Sequence, residues 1–369
     1  MEAALRALSD VEPLLRALGV LLLAFVFAAA RAGKTGGAAA PGPRAFLARF
    51  GAALAVQTSL VAALNYAVNP FGMYSTHIVE PIVPHSRAEK MRLYAAFQPP
   101  PEIVVLGNSE SFTMPPGYIR ERTGRPAFNA SIHGGVPGDY LAFFRYMLAL
   151  HKVPQVLIVP VSVEVLRPNL PTGFEPHDPL SSFRTGEAGG RLGVAGELIG
   201  LRQTEASLRL LAVEGKGRGT PQYRFDADGF GHFLDTRPLD EAVDAYLAKD
   251  WAPSLFDFED LDSAQISHLE ELLSLCKEHG VRVVVYVPPY HPRAAAVYER
   301  TSRLPELKAQ MLSRLHQWQR QSLILAVHDF SHVESFAGSA AMFHDLAHPT
   351  AEASRRMLAV MLPRLAPDS

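Results

Sequence analysis

Two windows near the start of the chain are almost free of polar positions. Residues 17–30, ALGVLLLAFVFAAA, carry no charge, and the apolar pattern reaches back through Leu15, Leu14 and Pro13 with Arg16 as the interruption. Residues 50–68, FGAALAVQTSLVAALNYAV, are interrupted only by Gln57, Thr58, Ser59 and Asn65. Crossing a bilayer takes about twenty apolar residues, so the second window predicts a membrane helix and the first a further span over about 12–30. Neither window has the polar face that a helix at the surface of a soluble core would present. The loop between them, 31–49, holds Arg31, Lys34, Arg44 and Arg49 and no acidic residue, which assigns it to the cytoplasmic side and everything after residue 69 to the other side. Whether one window spans or both do, that orientation is the same. Glu2, Asp10 and Glu12 stand where a cleaved signal peptide would have basic residues.

From residue 70 onward the pattern changes to short β-rich runs alternating with amphipathic stretches, which predicts a parallel sheet with helices on its faces. The runs are 102–106, 127–130, 155–163, 281–287 and 323–328. VRVVVYV at 281–287 is the clearest of them and reads as a central strand covered on both sides. Helices are predicted over 137–151, 263–279 with Asp262 as cap and Gly280 as stop, 304–319, and 351–362 with Thr350 as cap. Residues 165–260 break the rhythm with many Pro, Gly and charged positions and read as an insertion, with helices near 193–213 and 238–249. The predicted organisation is a membrane anchor over 1–69 and an α/β domain over 70–369.

Composition removes several function classes. Of 369 residues, 48% are hydrophobic and 20% charged, which describes a folded chain, and a formal charge of −2 with scattered Lys and Arg leaves no basic stripe for nucleic acid. Cys276 is the only cysteine, so no intrachain disulfide is possible, and the residue reads as a small apolar side chain on a buried helix face. His133, His332 and His344 lack the tight spacing and carboxylate partner of a metal site, so neither a metal nor a cofactor is expected.

Catalytic groups in parallel α/β sheets gather on loops at the carboxyl ends of strands, and three stretches sit there. LGNSES at 106–111 ends the first strand with a serine at a strand-to-helix turn, where Ser109 exposes a hydroxyl and backbone amides face a developing oxyanion; the same tripeptide is also an ordinary turn and cap. FHDLAHPTAEA at 343–353 spaces Asp345 and His348 so that the carboxylate folds against the imidazole and leaves its other nitrogen for a serine proton, unless the stretch is simply a polar loop. FNASIHGGVPGDY at 128–140 carries Gly134 and Gly135, either of which brings an amide near a substrate or merely makes a turn. His291 and Arg293, in PPYHPR, follow the clearest strand on the same side, with substrate binding and a solvated loop as the two readings. Asp329 ends the last strand and caps a turn.

In this order the three stretches resemble the SGNH (GDSL-like) hydrolase superfamily. Gly107-Asn108-Ser109 is similar to its nucleophile block with Asn in place of Asp, Gly134 or Gly135 to its oxyanion glycine, and Asp345-Leu346-Ala347-His348 to its Asp-x-x-His block before the final helix. The likeness covers most of 100–362 and implies a three-layer SGNH/flavodoxin-like fold, with Ser109, His348 and Asp345 as nucleophile, base and orienting acid. The family's third block supplies an oxyanion asparagine after the third strand. Here that region reads VPVSVEVL, and Asn108 or Asn129 is the expected substitute donor.

A narrower set, NPFGMY, Lys90 in RAEKMRLY, PPEIVVLGNSES, FNASIHG, VVVYVPPYHP, HDFS and FHDLAH, resembles membrane-anchored SGNH-like proteins of polysaccharide acylation, of the alginate O-acetylation and teichoic acid D-alanylation kind. That resemblance implies an esterase or O-acyltransferase in the bacterial inner membrane with a periplasmic domain, an acylated glycan or small ester as substrate, and polysaccharide-export or acylation proteins as partners. A non-catalytic glycan-binding or scaffold protein on a degenerate SGNH fold is the alternative, favoured by the missing asparagine and opposed by the intact Asp-x-x-His block.

Overall fold

The computed structural model describes residues 43–70, 86–168, 180, 183, 198–212, 223–235, 237–248 and 255–365. The window predicted to span over 12–30 lies outside them. By compactness the chain falls into two units, 1–85 with 189–220, and 86–188 with 221–369. The first unit takes in residues 189–220 from the stretch read as an insertion.

In the first unit the second apolar window forms the helix Pro43–Val68, 26 residues long. It begins earlier than expected and takes in Arg44 and Arg49, which the sequence assigned to the loop. By length and composition it is able to cross a membrane, and Leu47, Phe50, Leu54, Val56 and Leu60 are exposed along it. Asn65 near its end is not left unsatisfied. Its Nδ2 donates to the Leu198 carbonyl at 2.7 Å and to Thr204 Oγ1 at 2.9 Å, and its Oδ1 accepts from Ser207 Oγ at 2.8 Å. Those hydroxyls belong to the helix Leu201–Ala212, whose Leu210 is buried together with Val68.

The second unit holds seven described strands, five of which form a parallel sheet. In chain order they are β1 (Ile103–Val105), β2 (Ala127–Asn129), β3 (Val156–Pro160), β4 (Tyr223–Phe225), β5 (Gly231–Phe233), β6 (Arg282–Val287) and β7 (Ala326–Asp329). The parallel sheet runs in the order β2-β1-β3-β6-β7. All five predicted strands are present in it, each within three residues of its expected start. Successive side chains of a strand point to opposite faces, and both faces here are apolar. Val104, Leu157, Val283 and Val285 pack with the helices Pro137–Ala149, Ser263–Glu278 and Leu304–Arg320. Ile103, Ile158, Val284 and Tyr286 pack with Pro116–Thr123 and Ala351–Met361. The result is the three-layer α/β arrangement that the alternating pattern implies. Asp262 and Thr350 cap their helices as expected, accepting from the amides of Ala264 and Ala353.

Three helices lie outside the sequence expectation: Ser86–Ala96, Pro116–Thr123 and Pro292–Thr301. The insertion contributes the expected helix Leu239–Leu247 and also an unexpected antiparallel hairpin, β4 with β5. The hairpin docks beside the carboxyl end of β2. The Gly231 amide donates to the Phe112 carbonyl and the Asn129 amide to the Asp228 carbonyl, at 2.8 and 2.9 Å. Phe112 is surrounded by Tyr223, Phe225 and Phe233 at centroid distances of 5.0–5.8 Å.

Candidate active site

The serine turn is shaped by close packing at the end of β1. A Cβ on Gly107 would lie 2.3 Å from Pro160 Cγ and 2.8 Å from Ser111 Oγ, so only a hydrogen fits where the chain leaves the sheet. A single 3-10 turn, Ser109–Ser111, follows, with Asn108 as its cap. Ser111 is anchored to Tyr286 of β6 through a 2.8 Å hydroxyl pair. These anchors leave Ser109 half-buried at the mouth of the turn.

The Asp345 loop is folded by its own carboxylate. Oδ1 accepts from the amides of Ala347 and His348 at 2.9 and 3.0 Å, while Oδ2 meets His348 Nδ1 at 2.7 Å. Phe343 and Pro349 form a β-bridge, and the His344 amide donates to the His348 carbonyl. Two neighbours hold the loop from outside: the His291 amide donates to the Leu346 carbonyl, and Thr113 Oγ1 to that of Pro349. The free imidazole nitrogen, Nε2, lies 2.9 Å from Ser109 Oγ. The two residues stand 239 positions apart in sequence, and the fold joins them in an unbroken hydrogen-bonded line. With Nδ1–H assigned toward Asp345, Nε2 is the acceptor for the serine proton.

Electrostatics fit that polarity. Burial acts to raise the Asp345 pKa, but the hydrogen bonds and charge of His348 with the two loop amides bring it down to about 2. Burial acts to lower the His348 pKa, and the Asp345 hydrogen bond and charge outweigh it and push the value up, with Glu110 and Glu164 adding in the same direction.

The expected oxyanion and substrate groups divide. Gly134, exposed and in the left-handed region at φ 58°, makes no hydrogen bond through its amide among the described residues, and the same holds for the amide of Ser109. Gly135 is different. Its amide turns back to the Ile132 carbonyl, and a Cβ there would meet the Gly107 carbonyl at 2.9 Å, so it serves close packing of the two loops. Asn129 is corrected to a structural role. It is wholly buried, its Nδ2 donates to the carbonyls of Ser111, Phe112 and Met114, and its Oδ1 accepts from the Ser131 amide. Asn108 is drawn into local bonds, with Oδ1 accepting from the Glu110 amide and Nδ2 donating one of its two hydrogens to Glu110 Oε2 at 2.7 Å. His291 is buried, caps the helix Pro292–Thr301 through Nδ1, packs against Phe343, and through its amide supports the Asp345 loop. Arg293 is paired with Asp240 and Asp244.

Four neighbours of the site escape the sequence reading. Glu110 follows the serine directly, and Ser162 and Glu164 lie in the stretch after β3; Ser162 Oγ donates to Glu110 Oε2 at 3.2 Å. Phe233, from the hairpin, lies 4.6 Å from the His348 ring and 5.1 Å from that of His344. No group of three or more His, Cys, Asp or Glu side chains fit to hold a metal occurs among the described residues.

Lys90 holds this wall in place. It is fully buried, donates to the carbonyls of Asn129 (2.7 Å) and Gly229, and lies 4.1 Å over the ring of Phe225. Burial pushes its pKa well below the usual lysine value, and either protonation state retains donors for both carbonyls. Lys90→Met keeps most of the volume and strands two buried acceptors, so a loss of about 2–4 kcal/mol is expected. Thermal denaturation of the purified full-length variant checks this. A melt unchanged from wild type would mean that the hairpin is held by other contacts.

No family model and no curated protein matches the sequence. Among solved structures, the chain is similar to a candidate acylhydrolase from Bacteroides fragilis NCTC 9343, with 11% identity over 75% of this chain and 92% of that one and a TM-score of 0.35. A likeness of that extent carries no chemistry. The functional reading rests on the side chains.

Proposed function

We propose that the chain is an SGNH-type serine esterase or O-acyltransferase that works through an acyl-Ser109 intermediate on an acylated cell-surface polysaccharide. The observation that carries this is the continuous line from Asp345 through His348 to Ser109, with hydrogen bonds of 2.7 and 2.9 Å. Ser109 Oγ attacks the ester carbonyl while His348 Nε2 takes its proton. The oxyanion forms against the amides of Ser109 and Gly134. His348 then returns the proton to the departing alkoxide, and water or a sugar hydroxyl releases the acyl group by the reverse sequence. The helix Pro43–Val68 tethers the site to the inner membrane, with the basic segment around 31–49 in the cytoplasm and the sheet domain in the periplasm. The glycan substrate is supported by the resemblance of the sequence blocks to polysaccharide-acylation proteins.

A fluorophosphonate probe tests the nucleophile. Detergent-solubilised full-length protein should label, and Ser109→Ala should not. Equal labelling of both, or none in folded wild type, sinks the proposal.

A further inference from the structure

The mechanism leaves one buried group beside the nucleophile unused. Glu110 is 3% exposed, and it grips Asn108 from both ends: its amide donates to Oδ1, and its Oε2 accepts from Nδ2. Ser162 Oγ donates to the same oxygen, while the buried Oε1 has no hydrogen-bond partner among the described residues. The titratable groups that face Glu110 are Glu164 on the turn after β3, His348, Tyr140 from the helix Pro137–Ala149, Tyr286 from β6 and Tyr290 from the loop after β6. No Lys or Arg is among them. A buried carboxylate with one bare oxygen and a second carboxyl nearby is an unfavourable state, and the neutral acid is the form that this setting accommodates.

We infer that Glu110 is a positioning residue for the Ser109 turn that works as a neutral carboxylic acid, and that its ionisation takes the turn out of its productive geometry. This rests on the serine-nucleophile reading above. As the neutral acid, Glu110 offers Oε2 to Asn108 and Ser162 and holds the turn, leaving the Ser109 amide directed at the oxyanion. Once ionised, the side chain moves to give its bare oxygen a partner and releases Asn108, and its charge opposes the negative oxygen that forms on the substrate.

Burial first, and the Glu164 charge second, raise the Glu110 pKa to about 7. His348 must lose its proton to act as base, and its pKa is also raised. The labelling rate of Ser109 by a fluorophosphonate should therefore rise as His348 deprotonates and fall as Glu110 ionises, giving a narrow bell. Glu110→Gln should lose the alkaline fall and keep the acid limb. Asn108→Asp should label roughly tenfold more slowly, and adding Glu110→Gln should restore most of the rate, because the glutamine amide donates to the introduced carboxylate. Full-length protein in detergent serves for all of these.

Infrared difference spectra read the proton directly: a protonated-carboxyl carbonyl band at a pH of about 6, below the titration of Glu110, should be present in wild type and absent from Glu110→Gln. Should that variant not fold, Glu164→Gln gives the second reading, with its alkaline limb expected at lower pH than in wild type. An alkaline limb that persists in Glu110→Gln, one that stays in place in Glu164→Gln, or absence of the carboxyl band overturns the inference. Failure of wild type to label at all strikes the serine-nucleophile reading instead, and the infrared band still decides whether Glu110 is the neutral acid.

Discussion

Replacing His348 with Ala should lower the turnover of p-nitrophenyl acetate by on the order of 10⁴-fold while KM changes little. The imidazole Nε2 at 2.9 Å is the one base within reach of Ser109 Oγ among the described residues. Without it the serine remains an ordinary alcohol, and amide donors aimed at the oxyanion cannot replace proton transfer. The loop itself should persist. Asp345 Oδ1 still accepts two backbone amides, and Thr113 and His291 still hold the carbonyls of Pro349 and Leu346. Unfolding should therefore stay close to wild type, which separates loss of chemistry from loss of structure. Retention of more than about a tenth of the wild-type kcat would remove His348 from the mechanism.

A stability loss as large as that of Lys90→Met is expected at Gly229. Its φ is 81°, and a Cβ there would stand 2.1 Å from the Asn129 carbonyl oxygen and 3.0 Å from Phe128 Cζ. Asn129 cannot retreat, because it is paired with Val105 in the sheet and clamped by Lys90. The hairpin must give way instead, and Phe233 with it. Gly229→Ala should cost about 2–4 kcal/mol from the clash and the left-handed strain together, a fall in Tm on the order of 10 °C. Gly280→Ala is the internal control. Its φ is 69° with nothing within 4 Å of the added carbon, so strain alone acts there. Equal melts for the two variants would show that the hairpin does not rest on β2.

The sheet is legible in the sequence because its strands are buried on both faces and so stand out as apolar runs between helical periodicities. The helix Ser86–Ala96 is not, for the opposite reason: it buries Ser86, Arg87 and Lys90, and the polar–apolar contrast that marks an amphipathic helix is lost. The hairpin has three-residue strands, YRF and GHF, too short for any alternation to register.

Within the site, Asp345 and His348 are readable because a three-residue spacing brings them together locally, and Ser109 because it follows a strand end. Asn129 departs from expectation, and Asn108 and His291 are drawn into local bonds, through a common cause. Polar side chains in loops satisfy nearby backbone groups before they are free for a ligand, and sequence does not reveal which have been used. Glu110 stands in plain view in GNSES, and the capping relation between residues 108 and 110 is the signal that could have found it. Phe233 carries no such signal, since its place over His348 depends on the docking of the whole insertion.

Asn65 has a practical consequence for anyone preparing the protein in water. Cutting the chain after the helix Pro43–Val68 would remove the partner of Thr204, Ser207 and the Leu198 carbonyl, and would uncover Leu210 where Val68 had covered it. A truncated form that begins at residue 69 would thus carry a sticky, half-unsatisfied helix. A version that retains the last two turns before Val68, or drops 198–212 as well, leaves no such seam.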